Sequence, residues 1–295
     1  MSKANELTEL KERIIELENE LRYKNREVEI YQKELIKFSN NLDMILNASQ
    51  QDVKALNDLH KTIVPTELPQ FAGFEISRKF TYGTKHGGDY FDIFAHEDKM
   101  RFSILLASSS GYAMSASFLS VVLQHSSLLE GRKTLSVEET VKILADELGK
   151  IAAPQDETQL FYAVVDRRHM TMTFSCTGKI AGIIQSTDLS ANESIRIISS
   201  DSPGISAGRK IEYSSLEVDL KPGYRICLVS EGLVNALDTD ELVSVAEETA
   251  TGGVHELRNQ MFIQAQIKSG LEQPLKDQTV IVVEVKDNVM KLAKS

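Results

Sequence analysis

The chain has 295 residues, 42% apolar and 26% charged, which suffices for one large domain with its own core plus an accessory element. Its formal net charge of -10, shared as -2 in residues 1–64 and -8 in the remainder, excludes the basic face that nucleic-acid binding needs. Two cysteines, Cys176 and Cys227, in strand-like apolar stretches exclude a disulfide scaffold and read as buried thiols. No apolar run is long enough to span a membrane.

Met1 is followed by charged, Leu-spaced sequence with no apolar h-region, so a cytoplasmic location is expected. Residues 5–64 contain neither proline nor glycine and predict one long helix. Leu7, Leu10, Ile14, Leu17, Leu21, Val28, Tyr31, Leu35, Phe38, Leu42 and Ile45 fall at alternating steps of three and four, with Lys24 the one weak d position. After Ile45 the seam shifts by one residue to Leu46, Val53, Leu56 and Ile63, a stutter-like break. Glu9/Arg13, Glu20/Lys24 and Glu29/Lys33 are expected to pair along the helix surface. A seam this narrow leaves apolar surface in water, so a dimeric coiled coil is expected, formed by Leu7 to Leu42 of two copies. The alternative is a helix folded back on its own domain.

Pro65 ends the helix, because proline removes a helical donor and disfavours helix before it. Residues 65–72 are expected to link it to a domain at 73–287, with a short tail at 288–295. Strands are predicted at Phe74–Phe80, Tyr90–Phe94, Phe102–Ala107, Phe161–Asp166 and Met170–Cys176. Five more are predicted at Ala181–Gln185, Ser194–Ser199, Glu212–Asp219, Arg225–Val229 and Val280–Val285. Helices are predicted at Ala113–Leu129, at Val137–Ile151 behind a Ser136/Glu139 capping box, and within Ala246–Gly270, broken near Gly252–Gly253. Many strands with helices grouped in the middle and near the end imply an α/β (α+β) domain of two packed sheets flanked by helices.

Four loops carry residue types suited to chemistry. Gly87-Gly88-Asp89-Tyr90-Phe91-Asp92 sets carboxylates on a glycine-bent strand end, as a hard divalent cation requires. Ser108-Ser109-Ser110-Gly111 lies between a strand and a helix, Ser230-Glu231-Gly232 follows a strand, and Lys276-Asp277-Gln278-Thr279 opens the last one. Singly, each also reads as an ordinary turn, cap or solvated corner.

Taken in order, these loops resemble the PPM family of metal-dependent Ser/Thr phosphatases, in its bacterial SpoIIE/RsbU-type branch. The resemblance runs from about Leu59 to Val285. It includes the approach His60 to Pro65, the turn Thr177-Gly178-Lys179, and Pro203-Gly204-Ile205 and Leu220-Lys221-Pro222-Gly223. Its most specific part is Gly87 to Asp92, which matches a Gly-Gly-Asp-Tyr-x-Asp signature.

The resemblance implies an α-β-β-α sandwich holding two manganese or magnesium ions that activate water and bind phosphate oxygens. Of the ligand places it implies, Asp89 is present, with Asp92 beside it in sequence. Ser108 stands where an Asp belongs, two residues before the retained Ser110-Gly111 pair, and Tyr112 and Ala113 replace a His and a Gly. Glu231-Gly232 keeps a carboxylate with one extra methylene, and Lys276 replaces the first of two aspartates while Asp277 and Thr279 remain. An ammonium about 4 Å from a dication is repelled by about 8 kcal/mol at an effective dielectric near 20, and it has no lone pair to donate. No intact catalytic residue set and no cofactor are therefore expected, with Asp89 kept as a candidate residual ligand and Glu231 as a weaker one. This reading gives a pseudophosphatase that binds a regulatory protein, for which the resemblance suggests a STAS-domain partner. The competing readings are an active phosphatase using Mn or Mg with altered ligands, and a coiled-coil protein whose domain only caps an assembly.

Overall fold

The computed structural model describes residues 3–63, 68–84, 88–110, 135–152, 155–186 and 195–286; within the first helix, side chains are described for residues 11, 13–41 and 44. The chain divides into two units, 1–55 and 56–295.

The first unit lies in one helix, α1 (Lys3–Ile63). Ile14, Leu17, Leu21, Val28, Tyr31, Leu35 and Phe38 are all exposed along it. Arg13 pairs with Glu16, and Lys24 Nζ sits 2.9 Å from Glu27 Oε2. Lys24 was expected to meet Glu20. A helix puts residues three and four apart within equal reach, and here the nearer acid lies C-terminal. The seam beyond Met44, with its shift near Ile45, falls on side chains outside those described.

The second unit contains all ten expected strands, each within a few residues of its predicted bounds. They are β1 (Phe74–Thr81), β2 (Gly88–Ala95), β3 (Arg101–Ser109), β4 (Thr158–Asp166), β5 (Thr171–Thr177), β6 (Ala181–Ser186), β7 (Ile195–Ile198), β8 (Leu216–Asp219), β9 (Tyr224–Val229) and β10 (Gln278–Val285). Two five-stranded antiparallel sheets result, ordered β1-β10-β9-β6-β7 and β2-β3-β4-β5-β8. Both are covered on their outer faces. Helix α2 (Val137–Ile151), closed by the expected Ser136/Glu139 capping box, packs on the second sheet. Helices α3 (Glu231–Val234), α4 (Thr239–Glu248) and α5 (Val254–Ser269) pack on the first. The helix expected at Ala113–Leu129 lies outside the described residues.

Period-two alternation sorts the strands into these layers. In β3, Phe102, Ile104 and Leu106 enter the cluster between the sheets, where they meet Ile226, Leu228, Ile281 and Val283 of the opposite sheet. Leu105 and Ala107 face the other way, onto Val141, Leu144 and Leu148 of α2. The fold is thus an α+β sandwich in four layers. Phe71 stacks on Phe102 at 4.1 Å between centroids, so the chain is already seated in this core before β1 begins. Cys227 is buried, whereas Cys176 is half-buried, and both are free thiols.

The helical region expected at Ala246–Gly270 is two helices. The break at Thr249–Gly253 is where Arg225 of β9 docks, donating to Thr249 O at 3.1 Å and to Gly252 O. Thr249 O accepts both Gly252 N, at 3.0 Å, and the guanidinium, so the turn that separates the two helices is tied to the sheet.

Candidate functional site

The four loops singled out in the sequence converge at one end of the sandwich. In the second sheet, Asp89 opens β2 and lies directly across from Ser108, at the end of β3. In the first, β9 ends into Ser230 and Glu231, and β10 begins after Lys276 and Asp277. Ser230 N donates to Thr279 O at 3.1 Å and Thr279 N to Ser230 Oγ at 3.0 Å, locking these two strand ends together.

Asp89 is at the centre and is 1% exposed. Its Oδ1 accepts from Ser108 Oγ at 2.6 Å, and its Oδ2 accepts from Thr279 Oγ1 at 2.7 Å. The second bond crosses from one sheet to the other. Asp277, also buried, accepts from Gly83 N at 2.7 Å and from Asp89 N at 3.3 Å. Burial is the main force raising the Asp89 carboxyl, to about 7, and the neighbouring Asp277 charge pushes the same way; the hydroxyl donors oppose both. Burial likewise raises Asp277 to about 6, against the two backbone donors. Near neutral pH Asp89 therefore stays partly protonated, where an ordinary aspartate is fully ionised.

Glu231 and Lys276 form the second half of the site. Lys276 Nζ lies 2.9 Å from Glu231 Oε1, with the Glu231 side chain 7% and the Lys276 side chain 29% exposed. Glu231 Oε2 is buried and has no hydrogen-bond partner among the described residues. Two glycines permit this close fit. A Cβ at Gly232 would lie 2.0 Å from Asp277 O, and one at Gly83 would lie 2.4 Å from Lys276 C. Beside Lys276 an open, largely apolar hollow of about 230 Å3 is lined by Ala236, Leu271, Pro274 and Leu275.

Of the residues named from sequence, Asp89, Ser108, Glu231, Gly232, Lys276 and Asp277 come together. Asp92 does not. It lies on the opposite face of β2, where it accepts from Ile93 N at 2.7 Å and from Tyr90 Oη at 3.5 Å. Gly111 lies outside the described residues. Sequence reasoning missed the roles of Ser230 and Thr279; their signal was position alone, since each opens or closes a strand next to a singled-out acid. Among the described residues no cluster of three or more His, Cys, Asp or Glu is arranged to hold a metal ion.

Solved structures share this architecture. The RsbU and RsbW domains of Rv1364c from Mycobacterium tuberculosis align with a TM-score of 0.63 and 14% identity, over 76% of this chain and 63% of that one. The SiaA-PP2C domain of Pseudomonas aeruginosa aligns at 0.62 and 15%, over 81% of this chain and 98% of that one. RsbX in complex with magnesium aligns at 0.57 and 14%, over 75% and 99%. At such identities these likenesses establish the fold. None of the curated proteins compared with the chain matches it. The family of Stage II sporulation protein E (SpoIIE) matches residues 98–286, well over half of the sequence. With its two sheets and the order of its loops on the same footing, the chain belongs to the SpoIIE family of PPM-type phosphatase domains.

Proposed function

We propose that this chain is a regulatory member of its family that binds a protein partner and does not hydrolyse phosphate esters. One observation carries the reading: the groups at the family's metal-ligand places are engaged with one another. Lys276 puts an ammonium against Glu231, the carboxylate at one of those places. Ser108 contributes a hydroxyl that donates to Asp89, leaving that carboxylate bonded on both oxygens. The residues present do not fit a pair of divalent cations. Such ions need several ionised oxygen ligands, whereas here one ligand place holds a serine hydroxyl, another holds an ammonium, and the Glu231 carboxylate is paired with that ammonium.

A domain that keeps its fold while neutralising this centre retains a surface for recognition. The apolar hollow beside Lys276, with Leu275 exposed, is suited to a protein side chain. The likeness to a structure that joins RsbU and RsbW domains favours a regulatory partner, and a STAS-type switch protein is our choice of client. The exposed seam of α1 favours a homodimer through a coiled coil. We place the protein in the cytoplasm; no described helix is long and apolar enough to cross a membrane.

The test is hydrolysis of an aryl phosphate with manganese or magnesium. No turnover above buffer is expected; robust turnover abolished by Asp89→Ala would overturn the reading. It would favour instead an active phosphatase, to which the unpartnered Glu231 Oε2 would offer one ligand atom. The combined variant Ser108→Asp, Glu231→Asp, Lys276→Asp should acquire manganese binding by calorimetry, and an absence of heat would count against the assignment of ligand places.

A further inference from the structure

The seam of α1 leaves the direction of its partner open, but the charges flanking it do not. With Leu7, Ile14, Leu21, Val28 and Leu35 at the a positions, the g positions are Glu6, Arg13, Glu20, Glu27 and Glu34. The e positions are Lys11, Glu18, Asn25, Gln32 and Ser39. In a parallel pair, each g residue meets the e residue of the next heptad on the second helix. That gives Glu6 with Lys11, Arg13 with Glu18, and three contacts of a glutamate with a neutral side chain. Two contacts are attractive and none is repulsive.

The antiparallel register that keeps the same layers facing sets Leu7 against Phe38, Ile14 against Tyr31 and Leu17 against Val28. Its flanking contacts become g with g. Arg13 then meets Glu34 favourably, but Glu20 meets Glu27, two like charges. The e positions offset nothing, since Lys11 and Glu18 then face Asn25, Gln32 or Ser39. Within the parallel arrangement, β-branched Ile14 and Val28 at a with Leu10 and Leu17 at d favour two strands over a larger number. Lys24, the one polar d residue, would face its own copy in the parallel arrangement. Its ammonium is drawn off the seam to Glu27, 2.9 Å away, and lies on the exposed surface, which limits that repulsion.

A second exposed apolar set, Ile15, Tyr23, Ile30, Ile36 and Met44, does not compete. Its steps of eight, seven, six and eight lack the alternating three and four of a seam.

We infer that α1 binds a second copy of this chain as a parallel, in-register two-stranded coiled coil, held in register by Glu6–Lys11 and Arg13–Glu18 contacts between copies. Both chains then leave the coil at the same end. The inference rests on the homodimer proposed above and adds the direction and register of its interface.

The experiment uses the full chain carrying Leu17→Cys. The native thiols interfere little: burial raises Cys176 to about 11 and Cys227 to about 12, so both stay protonated and slow to oxidise. Light scattering first measures the mass of the untreated protein, and a monomer mass would remove the homodimer and this inference together. In a chain of dimer mass, mild oxidation should convert Leu17→Cys almost completely to a disulfide-linked dimer, because the two cysteines face each other at d. A dimer that fails to link through Leu17→Cys overturns the parallel register while leaving the homodimer intact. An equimolar mixture with Val28→Cys that links instead would identify the antiparallel form. As a second measure that leaves the core untouched, Lys11→Glu should raise the dimer dissociation constant severalfold and Glu6→Lys in the same chain should restore it. An unchanged constant in Lys11→Glu would count against the assigned contacts.

Discussion

Two polar centres are buried in the globular unit, and they handle charge in opposite ways. At Arg225, 2% exposed, every donor group has an acceptor: Glu284 Oε2 at 3.0 and 3.1 Å, Thr249 O, Gly252 O and, at 3.4 Å, Gln185 Oε1. Although burial works to raise it, the Glu284 carboxyl ends below its usual range, because Lys286 and Arg225 bond to it. At Asp89, equally buried, two hydroxyls and a neighbouring carboxyl stand where a cation would, and the carboxyl rises to about 7. The first centre ties β6, β9 and β10 to the α4–α5 junction, and stability alone explains it. The second sets two carboxyls of raised affinity for protons side by side, which stability alone does not ask for. Carboxyls perturbed and paired in this way concentrate at functional sites, which is why the proposed function is built on this centre.

The sharpest way to break the contrast is Arg225→Met. It leaves Glu284 with Lys286 alone and takes the guanidinium donors from Gln185 Oε1, Thr249 O and Gly252 O, and removing one member of a buried ion pair costs about 3–5 kcal/mol. Urea unfolding should show a loss of that size. A loss below about 1 kcal/mol would mean that the network adds little.

The opposite sign is expected at the other centre. Asp89 has a folded-state value above its unfolded one, so the folded protein holds the proton more tightly. Its contribution to stability is fully present below about pH 4 and is lost as pH rises towards about 7. Glu284, held low in the fold, behaves conversely: its contribution is present above its ordinary range and is lost as pH falls. Asp89→Asn removes the ionisable group while its amide can still bond both Ser108 and Thr279. It should stabilise the protein by about 1–3 kcal/mol near pH 7.5, and by much less near pH 4. Melting temperatures of both forms across that range give the test. Parallel curves would show that Asp89 is not the group that titrates.

Much of this was legible before any coordinates. The ten strands announce themselves by alternation, and the Ser136/Glu139 box marks the start of α2. The start of α4 carried an equal signal, Asp238 with Glu241, whose reciprocal bonds close the helix at 3.0 and 2.8 Å. The apolar spacing that predicts a helix starts only at Ala246, well past that box. The break before α5 was legible in Gly252–Gly253, but its cause was not, since Arg225 lies far away in sequence. At the site, loop order brought six of the named residues together. The hydroxyl donors Ser230 and Thr279 act across the gap between sheets, and no local pattern encodes which hydroxyl faces which carboxylate.

Asp92 shows the converse error, a residue grouped with the site by nearness in sequence although the strand's own period argued against it. Residues 89 and 92 are separated by an odd number of positions, so their side chains point to opposite faces of β2. Burial raises the Asp92 carboxyl too, but its bonds are local, to Ile93 N and Tyr90 Oη, and among the described residues nothing from the opposite sheet bonds to it. Asp92→Asn keeps an acceptor for Ile93 N and removes no ion pair. Its effect on stability should be the smallest of the three, at most about 0.5 kcal/mol at neutral pH. Combined with Asp89→Asn it should be additive, because the two side chains share no partner. If Asp92→Asn stabilised the protein as much as Asp89→Asn, or the pair fell short of their sum by more than about 0.5 kcal/mol, the two carboxyls would belong to one centre after all, and the separation of the β2 faces would no longer account for their difference.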